Sequence, residues 1–99
     1  MGLEESFDLD SIRDFVMNEL SEQYGLLPNA FPMTLRVLQR QGVACGVFYC
    51  LHGPRSIRLT AILDTVSSRI LLYDSRGERS ASYDISELNI GKTSQGSLV

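Results

Sequence analysis

The sequence predicts an α+β domain: one N-terminal amphipathic helix packed on one face of a four- to five-stranded antiparallel β-meander, a two-layer arrangement. Three observations carry that prediction. Residues 8–24 repeat their apolar side chains at helical spacing. From Phe31 to about Ile85 the chain runs in β-rich stretches, broken by turn residues every eight to twelve positions. A length of 99 residues, with 43% hydrophobic and 21% charged side chains, holds one core and no second.

The helix comes first. In "DLDSIRDFVMNELSEQY", Ile12, Phe15, Val16, Leu20 and Tyr24 fall on one face, while Arg13, Asp14, Asn18, Ser21 and Glu22 fall elsewhere. Asp8 or Asp10 supplies an N-cap, and Gly25 stands where a left-handed C-terminal residue is wanted. A helix of this length is marginal alone, so it must lie on something.

The strands follow as "FPMTLRVLQ", "VACGVFYCLH", "SIRLTAILD", "RILLYD" and, more weakly, "RSASYDI". Arg40-Gln41-Gly42 reads as a three-residue hairpin loop with a bulge. Gly53-Pro54, Thr65–Ser68 and Ser75-Arg76-Gly77 mark the later turns. Asp64, Asp74 and Asp84 recur at strand ends, where turn chemistry accounts for them.

That loop sets a register in which odd positions face odd positions. One face then carries Met33, Leu35 and Val37, then Val43, Cys45, Val47, Tyr49 and Leu51, then Ile57, Leu59, Ala61 and Leu63, and is the seat of the helix. The other carries Thr34, Arg36, Leu38 and Arg40, then Ala44, Gly46, Phe48, Cys50 and His52, then Ser56, Arg58, Thr60 and Ile62. The fourth strand has apolar residues on both sides, so its facing stays open. Residues 1–85 are expected to form the single domain, and 86–99 a flexible or weakly ordered tail with one short turn near Leu88.

Several function classes lose ground at once. The acidic N-terminus lacks the positive start and apolar run of a secretory signal, and no stretch reaches the ~18 apolar residues of a membrane span. A cytoplasmic protein with two reduced thiols is expected. Met1-Gly2 with Ser6 matches a myristoylation pattern, but Glu4 and Glu5 give a lipid anchor no basic support. With one histidine and no CxxC pair, no metal site and no cofactor are expected. Gly-Lys-Thr at 91–93 has no upstream glycine at the phosphate-loop spacing.

The stretch "VACGVFYCLHGPRSIRLTAI" holds both cysteines, the histidine and two arginines. In a regular strand Cys45 and Cys50 point to opposite faces, which rules out a shared metal or a mutual disulfide. Cys50 and His52 share a face, with Arg58 expected near Cys50 and Ser56 near His52. A thiol flanked by imidazole and guanidinium is a candidate nucleophile or redox-responsive group, but it lacks an orienting third group and an oxyanion site. The reading that Cys50 is a small filler and His52 a strand-end residue carries more weight, so catalysis is not expected.

The second sheet face carries a stronger signal. Arg36, Leu38, Phe48, Arg58 and Ile62 would lie exposed if the helix covers one side only, and burying Phe48 and Ile62 would stabilise an assembly by roughly 1.5–3 kcal/mol each. A non-enzymatic interaction or dimerisation domain using this face is the leading expectation, with a homodimer or protein partner. Arg36, Arg40 and Arg58, with Phe48 between them, also fit a small ligand or nucleic acid, against which the net charge of −3 counts.

Overall fold

The computed structural model describes residues 8–88. Helix α1 (Leu9–Gln23) precedes five strands, β1 (Met33–Arg40), β2 (Val43–His52), β3 (Arg58–Asp64), β4 (Arg69–Tyr73) and β5 (Arg79–Asp84), and a helical turn, α2 (Ile85–Leu88), follows. The strands form one open antiparallel sheet in the order β1-β2-β3-β4-β5, with α1 on one face. This is the predicted α+β arrangement with the upper strand count, and it is not a barrel.

Both ends of α1 are set by local chemistry. The Asp8 carboxylate accepts from the Ser11 amide at 3.3 Å and from the Ser11 hydroxyl at 2.8 Å, and these bonds hold its pKa below the usual carboxylate value. At the other end Gly25 takes a left-handed φ of 66°. Its amide donates to the Glu22 carbonyl and the Leu26 amide donates to the Ser21 carbonyl, a Schellman closure that turns the chain toward the sheet. Ile12, Val16 and Leu20 are fully buried as expected. Met17 and Ser21 join them, because the buried stripe is wider than a single row of positions. The Ser21 hydroxyl donates to the Met17 sulfur at 3.6 Å. Tyr24 is exposed instead, with its hydroxyl bonded to that of Ser75.

The first hairpin departs from expectation in one respect that reorders its tip. Its loop is the two-residue Gln41-Gly42, both at positive φ (54° and 81°), closed by the Arg40–Val43 pair. The bulge lies inside β2: Leu38 pairs with Gly46 and Gln39 with Ala44, which leaves Cys45 as the extra residue. Odd–odd pairing therefore holds from Met33↔Leu51 to Val37↔Val47 and inverts beyond it. Val43 lines up with Arg40, exposed and away from the core, and Ala44 leaves the face on which it was expected. Gly46 has a reason to be glycine, since a Cβ there would collide with the Leu63 carbonyl oxygen.

The second hairpin keeps its parity but slides by one pair. Gly53 to Ile57 form the turn, closed by the Gly53 amide on the Ile57 carbonyl at 2.8 Å, with Arg55 and Ser56 both at positive φ. His52 thus pairs with Arg58 and Cys50 with Thr60, and Ser56 stays in the turn. The fourth strand resolves cleanly: Ile70 and Leu72 point into the core opposite Leu63 and Ala61. Each of the three evenly spaced aspartates ties down the chain after its strand. Asp64 accepts from the amides of Val66 and Ser67, Asp74 from those of Arg76 and Glu78, and Asp84 from that of Ser86.

The core lies between α1 and the middle of the sheet. Val47, Tyr49 and Leu51 of β2, Leu59, Ala61 and Leu63 of β3, and Ile70 and Leu72 of β4 meet Ile12, Val16, Met17 and Leu20 of the helix. Phe15 packs edge-on against Tyr83 of β5 at 5.1 Å, and the Tyr83 hydroxyl donates to Glu19 at 3.0 Å. Ile85 of α2 is buried and Leu88 packs on the same cluster; residues 89–99 of the expected tail lie outside the described residues. The Tyr49 hydroxyl is enclosed without a hydrogen-bond partner, and burial pushes its pKa up to about 12. The core covers β1 only at Met33. Leu35 and Val37 point to the helix side as expected but stay 48% and 52% exposed.

Candidate functional site on the open face of the sheet

Strand alternation lays out the face opposite the helix in transverse rows. The central row runs Arg36–Phe48–Ile62–Leu71–Ser82 across all five strands. On one side lies Thr34–Cys50–Thr60–Tyr73–Arg79, with His52–Arg58 beyond it; on the other lies Leu38–Gly46–Asp64–Arg69–Asp84. Phe48, Ile62, Leu71, Tyr73 and Leu38 are each half-buried, and none of the described elements packs over them. The five residues expected on this surface, Arg36, Leu38, Phe48, Arg58 and Ile62, all fall on it.

Two contacts organise the cationic groups. The Arg36 guanidinium lies over the Phe48 ring, 5.3 Å from its centroid. The Arg69 guanidinium donates to the Ser82 hydroxyl at 2.8 Å and 3.2 Å from two of its nitrogens. The face carries five arginines, Arg36, Arg40, Arg58, Arg69 and Arg79, against two aspartates, Asp64 and Asp84. The helix layer has the opposite balance, with Asp8, Asp10, Asp14, Glu19 and Glu22 against Arg13. Arg69, Arg79, Leu71 and Tyr73 complete the surface. Leu71 and Tyr73 belong here in one of the two facings that "RILLYD" leaves open, whereas Arg69 and Arg79 carry no such signal in the sequence.

A shallow cavity of about 260 Å³ lies at the bulged end of this face, lined by Leu38, Arg40, Cys45, Ile62 and Asp64 among others. A second, of about 280 Å³, lies beside the helix C-terminus between Asn18, Glu22, Leu26 and Pro28. Neither joins an acid, a base and a nucleophile.

The thiol and imidazole are arranged differently from the expected cluster. Cys50 is 8% exposed, and its cross-strand neighbours are Thr34 and Thr60. The His52 Nε2 is 3.1 Å from the Thr34 hydroxyl, and Arg58 stands opposite His52, because the longer turn moved it one pair away from Cys50. No hydrogen bond joins the thiol to the imidazole among the described residues. Strand alternation no longer fixes the side of Cys45, now the bulge residue, but Cys50 lies four positions beyond Gly46, roughly 13 Å away along β2. Both cysteines are thiols. Among the described residues no group of three His, Cys, Asp or Glu side chains is placed to hold a metal ion, and no helix is long and apolar enough to cross a membrane.

No protein-family model matches the chain, and neither a curated protein nor a solved structure matches it.

Proposed function

We propose that this protein is a non-enzymatic binding module whose working surface is the open face of its sheet. One observation supports the reading above the rest: a continuous row, Phe48–Ile62–Leu71, lies half-buried at the centre of that face, ringed by arginines. Apolar side chains in the middle with charges at the rim is the composition of a contact surface. The alternative use of this region, nucleophilic or redox chemistry at Cys50 with His52 and Arg58, has less support. The thiol sits between two threonines, and the imidazole is engaged by Thr34.

A second copy of the chain and a different protein are the two expected occupants. A face-to-face dimer would cover the apolar row, yet it would set the same five arginines against one another. The charge balance favours a partner that brings negative charge.

The test is the accessibility of Phe48 in the full-length protein, read by NMR with a soluble paramagnetic probe while light scattering follows the mass over a dilution series. A monomer with strong broadening of Phe48, Ile62 and Leu71 supports an open binding surface. A dimer that Phe48→Glu converts to a folded monomer keeps the surface and makes the second copy its occupant. A monomer in which these residues are protected means that the chain covers its own face, and the reading fails.

A further inference from the structure

We propose that the open face binds single-stranded nucleic acid, phosphates meeting its arginines and bases stacking on Phe48 and Tyr73; this rests on the reading of that face as the working surface. The argument begins with charge. The chain as a whole carries −3, yet the face holds five arginines and two aspartates. Positive charge is therefore concentrated on the layer that is not covered, and the acidic helix lies behind it. Such a polarised molecule meets a polyanion sheet-first.

The kind of cation matters as well. Apart from His52, every basic residue on the face is arginine; the chain's single lysine, Lys92, is outside the described residues. Guanidinium groups bind phosphate oxygens with paired donors and stack on flat rings, where an ammonium acts as a point charge. The Arg36 guanidinium already lies over the Phe48 ring. A base added to that platform would meet an aromatic ring and a cation together.

The platform geometry also suits a strand of nucleotides. Phe48 stands on β2 and Tyr73 on β4, one row apart, which places them roughly 12 Å from each other across the sheet. Ile62 and Leu71 floor the space between them. Arg36 and Arg58 flank it toward β1 and the second hairpin, and Arg79 lies beside Tyr73 at the opposite edge. Aromatic platforms set in a basic surface recognise unpaired bases, whereas a duplex shields its base faces. An acidic peptide would answer the charge but would leave the two rings without a role.

The experiment is fluorescence anisotropy with a labelled single-stranded oligonucleotide of about ten nucleotides, a duplex of the same sequence, and heparin, each titrated with full-length protein. Preference for the single strand is expected, with affinity falling roughly 20- to 100-fold between about 50 and 200 mM salt as three to five phosphates are engaged. Phe48→Ala should weaken single-strand binding about tenfold and leave heparin unchanged. Arg36→Gln with Arg58→Gln should flatten the salt dependence for both ligands, which keeps the test readable should Phe48→Ala fold poorly. Equal binding to heparin and oligonucleotide, indifferent to Phe48→Ala, overturns the stacking and with it the proposal. Mass that grows at low salt without any oligonucleotide would put the acidic helix of another copy on this face and also overturn it. Loss of all polyanion binding while Phe48 stays accessible removes the nucleic acid and leaves the broader binding-module reading intact.

Discussion

Arg36 and Phe48 are direct partners across the β1–β2 ladder, and the guanidinium of one lies 5.3 Å from the ring centroid of the other. A cation over an aromatic face is drawn to the ring's negative face by about 0.5–1 kcal/mol at an exposed site. The pair ties edge strand β1 to its neighbour on the side away from the helix, where the core contributes nothing.

The strength of that tie can be read in a double-mutant cycle. Arg36→Ala should lower stability by about 0.5 kcal/mol and Phe48→Ala by roughly 1–2 kcal/mol. Urea melts of the double variant should then show a coupling of about 0.5 kcal/mol. Strictly additive losses would mean that the contact contributes nothing.

Tyr49 should be better replaced. Its hydroxyl is enclosed with no partner, so Tyr49→Phe removes an unmet polar group at almost constant volume and should leave the protein equally stable or up to about 1–2 kcal/mol more stable. The same substitution should change the alkaline limb. Burial raises the folded-state pKa from 10.0 to about 12, so the native state favours the protonated phenol. That contribution is fully present below pH 10 and is lost as pH climbs toward 12. Melting temperatures measured from pH 8 upward should fall less steeply in Tyr49→Phe. Tyr83, whose pKa is raised by burial and by its bond to Glu19, keeps a part of the slope in both proteins.

Gly46→Ala should be among the most damaging small changes in the sheet. The added methyl would meet the Leu63 backbone oxygen, which no side-chain rotation can move, and the β2–β3 ladder must open locally. A loss of roughly 2–3 kcal/mol is expected, with faster amide exchange at Val47 and Leu63.

Acid should act through the turns. The Glu78 and Arg76 amides donate to the Asp74 carboxylate and hold its pKa below the model-peptide value of 3.8, and Asp8 is lowered likewise by Ser11. Stability from a depressed carboxylate is present above 3.8 and is lost as pH falls below it. Asp74→Asn should therefore reduce the drop in melting temperature between about pH 5 and pH 2. An unchanged acid limb would show that the Asp74 turn bonds contribute nothing to stability.

Thiol reactivity separates the two cysteines. Cys45, at the bulge and half-buried, should react with an aromatic disulfide reagent in the native protein, whereas Cys50 should wait for unfolding. Rapid native-state modification of Cys50 would revive the nucleophile reading.

These residues also show what the sequence could and could not say. The helix, its Asp8 cap, its Gly25 stop and the inward face of β2 and β3 were legible because periodicity and turn chemistry act over a few residues. The Cys45 bulge is not legible because Gln41-Gly42 fits a two-residue turn as well as part of a longer loop. The position of Arg58 was missed by one pair for the same reason, since Arg55 and Ser56 take left-handed conformations that non-glycine residues rarely advertise. Three arginines of the open face could be grouped from β1–β3 alone. Arg69 and Arg79 could not, because the facing of β4 is decided by the helix above Ile70 and Leu72.

The strand order has a consequence for how the chain comes together. Every ladder joins strands adjacent in sequence, so each closes a short loop and the sheet can zip in order from β1 as the chain is made. The helix, synthesised first, has nothing to lie on until β2 and β3 exist. A late clasp is Tyr83, which reaches back 64 positions to Glu19 and packs against Phe15 only when the fifth strand has arrived. The fifth strand thus fastens a helix that was made before any of the sheet.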